Sequence, residues 1–359
     1  MKPSIWLAAL ACAGLAALGG FWLSGRPLAV YLAAFGFASS SVVGGLILLM
    51  LGSVTGATWF VALRRLCEPA ALGSGVLVFA FAPLVLGAGQ LYPWAPPQRS
   101  VSAAHAIWQS LLAFAGRGWL CLLLWTLWAE LLRRQKTKSA ALSAVGLPLV
   151  ITSGSLAVFD WISGATGAHF NLLGLYVLSG GFVAACGSAC VMLHLGRRLR
   201  WLPVAVGEHH AHALGRLLLT AVCIWAYLAA SLLIIVWSAN LPSEAAFVLP
   251  RYHGWYRALA LVLVGGHFGA PFLLLLSKGL KRKSACLAAL GTWLVLMHGV
   301  DLVWLILPTF AAEPRLVDLL AFAGLTALLV SYAGWRFRNE SPVPEPSPEL
   351  ARSLRYEAS

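Results

Sequence analysis

The stretch LGTWLVLMHGVDLVWLIL, Leu290 to Leu307, decides how this chain is read. About 20 apolar residues, rising 1.5 Å each, cross a hydrocarbon core of about 30 Å. The run is apolar enough to span a membrane, yet it contains His298 and Asp301. Three residues apart, they share one helical face. An ionisable group at the centre of a spanning helix costs roughly 2.5–3.5 kcal/mol on insertion scales, so it is usually kept for a purpose.

The rest of the chain has the same character. Of 359 residues, 60% are hydrophobic and only 10% charged. Soluble domains carry about 25% charged residues, so the composition points to an all-α polytopic membrane protein. Ten spans can be read, at about 4–24, 30–53, 72–91, 113–132, 140–161, 170–194, 213–238, 256–277, 285–307 and 316–335. The amphipathic stretch Thr58 to Leu66 reads as a continuation of the second span. Residues 1–338 are expected to form the transmembrane region, with no soluble domain of any size within the chain. The tail 339–359 is rich in Pro and Glu and reads as disordered and cytoplasmic.

The net charge of +13 does not indicate nucleic acid, because the basic residues fall in short clusters between spans. Alternate loops explain them better. All 25 Lys and Arg lie on one side except Arg26, Arg99, Arg117, Arg251, Arg257 and Arg315. The positive-inside rule then predicts that both termini are cytoplasmic. The first span also has the layout of a signal peptide, but its apolar run is long for one and it is expected to be retained. Trp22, Trp161, Trp237 and Trp335 fall near span ends, as interfacial belts require. The seven cysteines show no zinc or disulfide spacing; Cys186 and Cys190 share a face and read as packing.

Sidedness gives depth to the polar residues. His267 lies near the middle of the eighth span, and His298 and Asp301 in the outer half of the ninth. Asp160 and His169 lie near the outer face. Glu130 sits near the cytoplasmic end of the fourth span, within snorkelling reach of Arg133 and Arg134. Glu208, His209 and His212 open the seventh span on the cytoplasmic side. Histidine and carboxylate carry protons in membrane relays, so a ladder from Glu208, His209 and His212 through His267 to His298 and Asp301 is one reading. The other is structural: a histidine bonding a backbone carbonyl, an aspartate held by an arginine or an indole N–H, a solvated helix start. His209 and His212 are too few ligands to predict a metal site. No histidine pairs suit two haems in a four-helix bundle, and no cysteine cluster, Walker motif or dinucleotide fingerprint is present, so no haem or iron–sulfur cluster is expected in this chain.

Several segments resemble one family. They are VWSANLPSEAAFVLPRYHGWYRA (Val236 to Ala258), HFGAPFLLLLSKGLKR (His267 to Arg282) and DLVWLILPTF (Asp301 to Phe310), supported by FDWISG (Phe159 to Gly164), EHHAHALGRLLL (Glu208 to Leu219) and TWFVALRRL (Thr58 to Leu66). Over residues about 30 to 335 the chain looks like the F subunits of alternative complex III, within the NrfD and polysulfide-reductase-C-like membrane proteins. The resemblance implies two four-helix bundles, at about 30–161 and 170–307, with flanking helices at 4–24 and 316–335. It implies a subunit of a quinol:electron-acceptor oxidoreductase in the bacterial inner membrane. The implied partners are an iron–sulfur subunit, a multihaem cytochrome and a second NrfD-like subunit, with quinone or quinol as the ligand. Asp160, His267 and Asp301 match its polar positions. Asp160 and His169 become quinone-side candidates, and Asp160 and Asp301 candidate equivalents under a parallel repeat. Two alternatives stay open: a structural anchor for extracytoplasmic redox subunits, and a stand-alone transporter with paired broken helices.

Overall fold

The computed structural model describes residues 3–95, 110–134, 140–168, 170–341 and 343–358. Among them are ten helices long and apolar enough to cross a membrane. They are α1 (Ile5–Leu23), α2 (Leu28–Val54), α3 (Phe60–Leu86), α4 (Leu111–Arg134), α5 (Ala140–Thr166), α6 (Leu173–Arg198), α7 (Glu208–Ala239), α8 (Gly254–Leu276), α9 (Ser284–Phe310) and α10 (Leu316–Phe337). No strand occurs among the described residues. The chain is an all-α polytopic membrane protein.

The helices differ sharply in enclosure. The most apolar windows of α2, α6 and α9 are 83%, 78% and 61% buried, while no other span exceeds 39%. These three form the centre, and the others pack around them with one side free. Helices α2 to α5 pack as one group and α6 to α9 as another, with α2 and α6 meeting between them. The flanking helices α1 and α10 pack on each other, and α10 leans on α2 and α3.

Small residues allow the central crossings. A Cβ on Gly44 would lie 2.2 Å from the carbonyl oxygen of Gly181, and one on Gly181 would lie 2.1 Å from that of Ser40. Gly187 of α6 and Gly291 of α9 meet in the same way. Lipid is as apolar as leucine, so helices in a bilayer associate through close backbone packing of this kind.

Two expectations about the spans change. The stretch Thr58 to Leu66 does not extend α2, which ends at Val54 before a turn in which Gly56 has φ 61°. It opens α3 instead, so the third span starts at Phe60 rather than 72. The charges there are matched: Arg65 pairs with Glu68 at 2.9 Å, and Arg64 donates to the Leu132 carbonyl at 2.7 Å. Helix α7 likewise begins at Glu208 rather than 213.

The tail also departs from the disorder read in 339–359. Helix α11 (Pro348–Leu354) is capped by Ser347, whose hydroxyl accepts from the Leu350 N–H at 3.1 Å. Leu350 and Ser353 are buried. The Ser353 hydroxyl accepts from the Ala62 N–H at 3.2 Å, and its carbonyl accepts from His210 Nε2 at 3.0 Å. Glu340 pairs with Arg65 at 2.9 Å and Arg133 at 2.5 Å. The tail is thus pinned across the ends of α3, α4 and α7, because its few apolar and hydroxyl groups find partners there. At the other end, Arg26 holds Asp318 through two bonds of 2.5 and 2.7 Å, which raises the Arg26 pKa.

Candidate functional site

Asp301 projects from α9 into the centre of the α6–α9 group and is 1% exposed. Two neutral donors hold it. Tyr176 of α6 donates its hydroxyl to Oδ1, and Trp225 of α7 donates its indole N–H to Oδ2 at 3.1 Å. Among the described residues, no cation forms an ion pair with it. A buried charge without a cation must rest on hydrogen bonds alone. A carboxyl group held this way can take up or release a proton without breaking an ion pair.

His298 lies one turn earlier on the same face, fully buried. Its Nε2 is 2.8 Å from the hydroxyl of Ser40 on α2. The Ser40 hydroxyl also lies 2.7 Å from the Gly36 carbonyl oxygen. Which of the two donates depends on the His298 tautomer: the hydroxyl accepts from an Nε2–H, or donates to an unprotonated Nε2. Nδ1 is buried without a partner and faces Gly180, where a Cβ would lie 2.5 Å away. His298 thus connects the two helix groups, and Gly180 makes room for its ring.

His267 approaches from α8, on a π-helical stretch, Leu263–Gly269. Such wide turns interrupt α-helices most often at functional positions. Trp293 donates to the Gly266 carbonyl at 2.7 Å within this stretch. The His267 ring stacks on Trp225, with centroids 3.9 Å apart and planes 27° apart. Both of its ring nitrogens are buried and without a partner. Trp225 thus sits between His267 and Asp301, and no direct hydrogen bond joins the latter two.

Behind this cluster lies a cavity of about 670 Å³ among α6, α7, α8 and the 247–252 turn. Its wall is mostly apolar, with Tyr176, Trp225, Tyr227, Arg251, Tyr252, Arg257 and Trp304 as members carrying polar atoms. The two donors to Asp301 are therefore also cavity wall. Arg251 is 1% exposed, and its guanidinium lies 3.3 Å from the centroid of the Phe247 ring. It donates to the carbonyls of Phe247 and Leu305, and to the Thr309 hydroxyl at 3.1 Å. Burial pulls its pKa down to about 9. Ligand cavities of several hundred Å³ with apolar walls and a few convergent polar groups are the usual form of a small-molecule site.

The other sequence candidates lie elsewhere. Glu208, His209 and His212 open α7 at its opposite end, and thirteen residues from His212 to Trp225 span roughly 20 Å. His209 Nδ1 accepts from the Ala358 N–H at 3.0 Å, so it is tied to the tail. No hydrogen-bonded chain among the described residues carries the ladder from this end to His267. Asp160 lies in a π-helical turn, Phe159–Ser163, and is paired with Arg117 at 2.7 and 3.1 Å. It does not line the cavity. His169 lies outside the described residues. Asp160 and Asp301 sit six and nine residues before the ends of α5 and α9, but among the described residues only Asp160 has a cation. Glu130 meets Arg133 at 2.8 Å and Arg134 at 2.6 Å, as its position suggested, and also Arg336.

Tyr176, Trp225, Ser40 and Arg251 complete the site without having been singled out in the sequence. Three of them are neutral, and Arg251 counted only as a charge on one side. The available signal was a tryptophan in the middle of a span, away from either interface. No group of His, Cys, Asp and Glu suited to hold a metal occurs among the described residues. No protein-family model matches the chain, and no curated protein matches it.

Proposed function

We propose that this chain is an integral membrane subunit of a quinol:electron-acceptor oxidoreductase, as its resemblance to the alternative complex III F subunits implies. In this reading the cavity between α6, α7 and α8 receives a quinone or quinol headgroup. Tyr176, Trp225, Asp301 and His267 then handle its protons. The observation that carries the proposal is the shared wall: Tyr176 and Trp225, the two donors to Asp301, both line the cavity. Arg251 and Tyr252 supply polar contacts for quinone oxygens, and the apolar wall suits an isoprenoid tail. Asp160, paired with Arg117, serves as a structural ion pair rather than the quinone contact. The chain holds no redox centre in this account; partner subunits with iron–sulfur and haem groups take the electrons, and the basic end faces the cytoplasm of a bacterial inner membrane.

Photolabelling with azido-quinones tests the proposal. Label on the α7 and α8 walls, displaced by unmodified quinone, is the predicted result. Label confined to the α2–α5 group near Asp160, or label that excess quinone does not displace, contradicts it.

A further inference from the structure

At the basic end of the molecule, far from the cavity, a second cluster has no assigned role. Lys281 belongs to a short helix, Lys278–Arg282, between α8 and α9. Its stem lies flat on α7 over Gly215, where a Cβ would come within 2.8 Å of the lysine Cγ. The residue is 6% exposed. No hydrogen bond or ion pair is made by its ammonium among the described residues. Burial, with Arg216 and Lys278 alongside, pushes its pKa down from the ordinary lysine value. Arg216, Lys278 and Arg282 are exposed around it, and the buried His212 stands within electrostatic range of all four cations, its Nδ1 without a partner.

This arrangement opposes its own folding. Like charges gathered around Lys281 repel, and among the described residues no carboxylate pairs with any of the four cations. A bound anion removes both costs. The cluster also borders an apolar surface: Leu273, Leu274 and Leu276, in the last turns of α8, are exposed beside it. Basic pockets between spanning helices at headgroup level are suited to anionic lipid headgroups.

We propose that Lys281, Arg216, Lys278 and Arg282 form a binding site for the phosphate of an anionic phospholipid, with its acyl chains along the exposed leucines of α8. Lys281 forms the floor, and the three exposed cations close around the phosphate. The proposal stands apart from the quinone reading, since it uses none of the same residues.

The full-length protein, delipidated in detergent, is titrated with phosphatidylglycerol, phosphatidylcholine or inorganic phosphate. Native mass spectrometry counts bound lipid, and thermal unfolding reports protection. Phosphatidylglycerol should bind and protect. Lys281→Met keeps the stem over Gly215, and Arg216→Gln changes an exposed side chain. Each should weaken phosphatidylglycerol binding by about fivefold. Equal binding of phosphatidylcholine overturns the proposal, as does unchanged phosphatidylglycerol binding in both variants. Equal protection by inorganic phosphate alone overturns the lipid as the source of the anion.

Discussion

Trp225 of α7 donates its indole N–H to Asp301 of α9, 76 residues along the chain, at 3.1 Å. One tryptophan thereby reaches the buried carboxyl with its edge, covers His267 with its face, and lines the cavity. Any ligand in the cavity that shifts this ring alters the hydrogen bonding of Asp301. Occupancy of the cavity and the hydrogen bonding of Asp301 are therefore linked through Trp225, as they are through Tyr176.

Asp301→Asn is the first test of that coupling. The amide can accept from Trp225 and donate to the Tyr176 oxygen, so the fold is retained and thermal unfolding moves little. Proton-coupled quinol turnover in the assembled complex should fall by at least about tenfold, the lower range for loss of a positioned proton carrier. Turnover equal to that of the unaltered complex contradicts the role.

Trp225→Phe keeps a ring against His267 but removes the indole N–H. Asp301 Oδ2 is then left buried without a donor, at a cost of about 1–3 kcal/mol. Asp301→Asn in the same background should recover part of that loss, because a neutral amide buried short of one partner costs less than a carboxylate. Thermal unfolding of the two single variants and the double variant measures the coupling directly.

Gly181→Ala drives a Cβ to 2.1 Å from the Ser40 carbonyl oxygen at the meeting of α2 and α6, where neither backbone can yield without moving its helix. It should destabilise the protein by about 1–3 kcal/mol or more, as overpacking does. Gly116→Ala in α4 meets nothing within 4 Å and should be neutral or stabilising by up to about 1 kcal/mol. Similar thermal shifts for the two variants would contradict the central crossing.

The tail makes a separate prediction. Ser347→Ala removes the cap of α11, and Ser353→Ala removes the hydroxyl that accepts from the Ala62 N–H. Each should cost about 1 kcal/mol locally. Hydrogen exchange at the Ala62 amide should speed up in both variants, while exchange in the middle of α9 stays slow. An unchanged rate at Ala62 contradicts the docking of the tail.

Much of this was legible in the sequence, for physical reasons. A bilayer demands long apolar runs, so ten spans could be counted without knowing any contact. An isolated Asp301 stood out because ionisable groups are rare at that depth, and the i, i+3 spacing put His298 beside it. Their partners did not stand out. Tyr176 lies 125 residues from Asp301 and Ser40 lies 258 from His298, and each is a common neutral residue. Trp225 is one of 16 tryptophans, most easily read as belt or filler. The tail misled because its overall composition outweighed a local signal: Ser347 before Pro348 and Glu349 is a helix start, and Leu350 and Ser353 fall three apart on the face that docks.

The central claim is that the proton of a quinol in the cavity is exchanged with Asp301. Infrared difference spectroscopy on reduction of the bound quinone observes this group itself. The account predicts a carboxyl C=O band that shifts in D₂O and disappears in Asp301→Asn. A band that persists unchanged in that variant, or none in the unaltered protein, would contradict it.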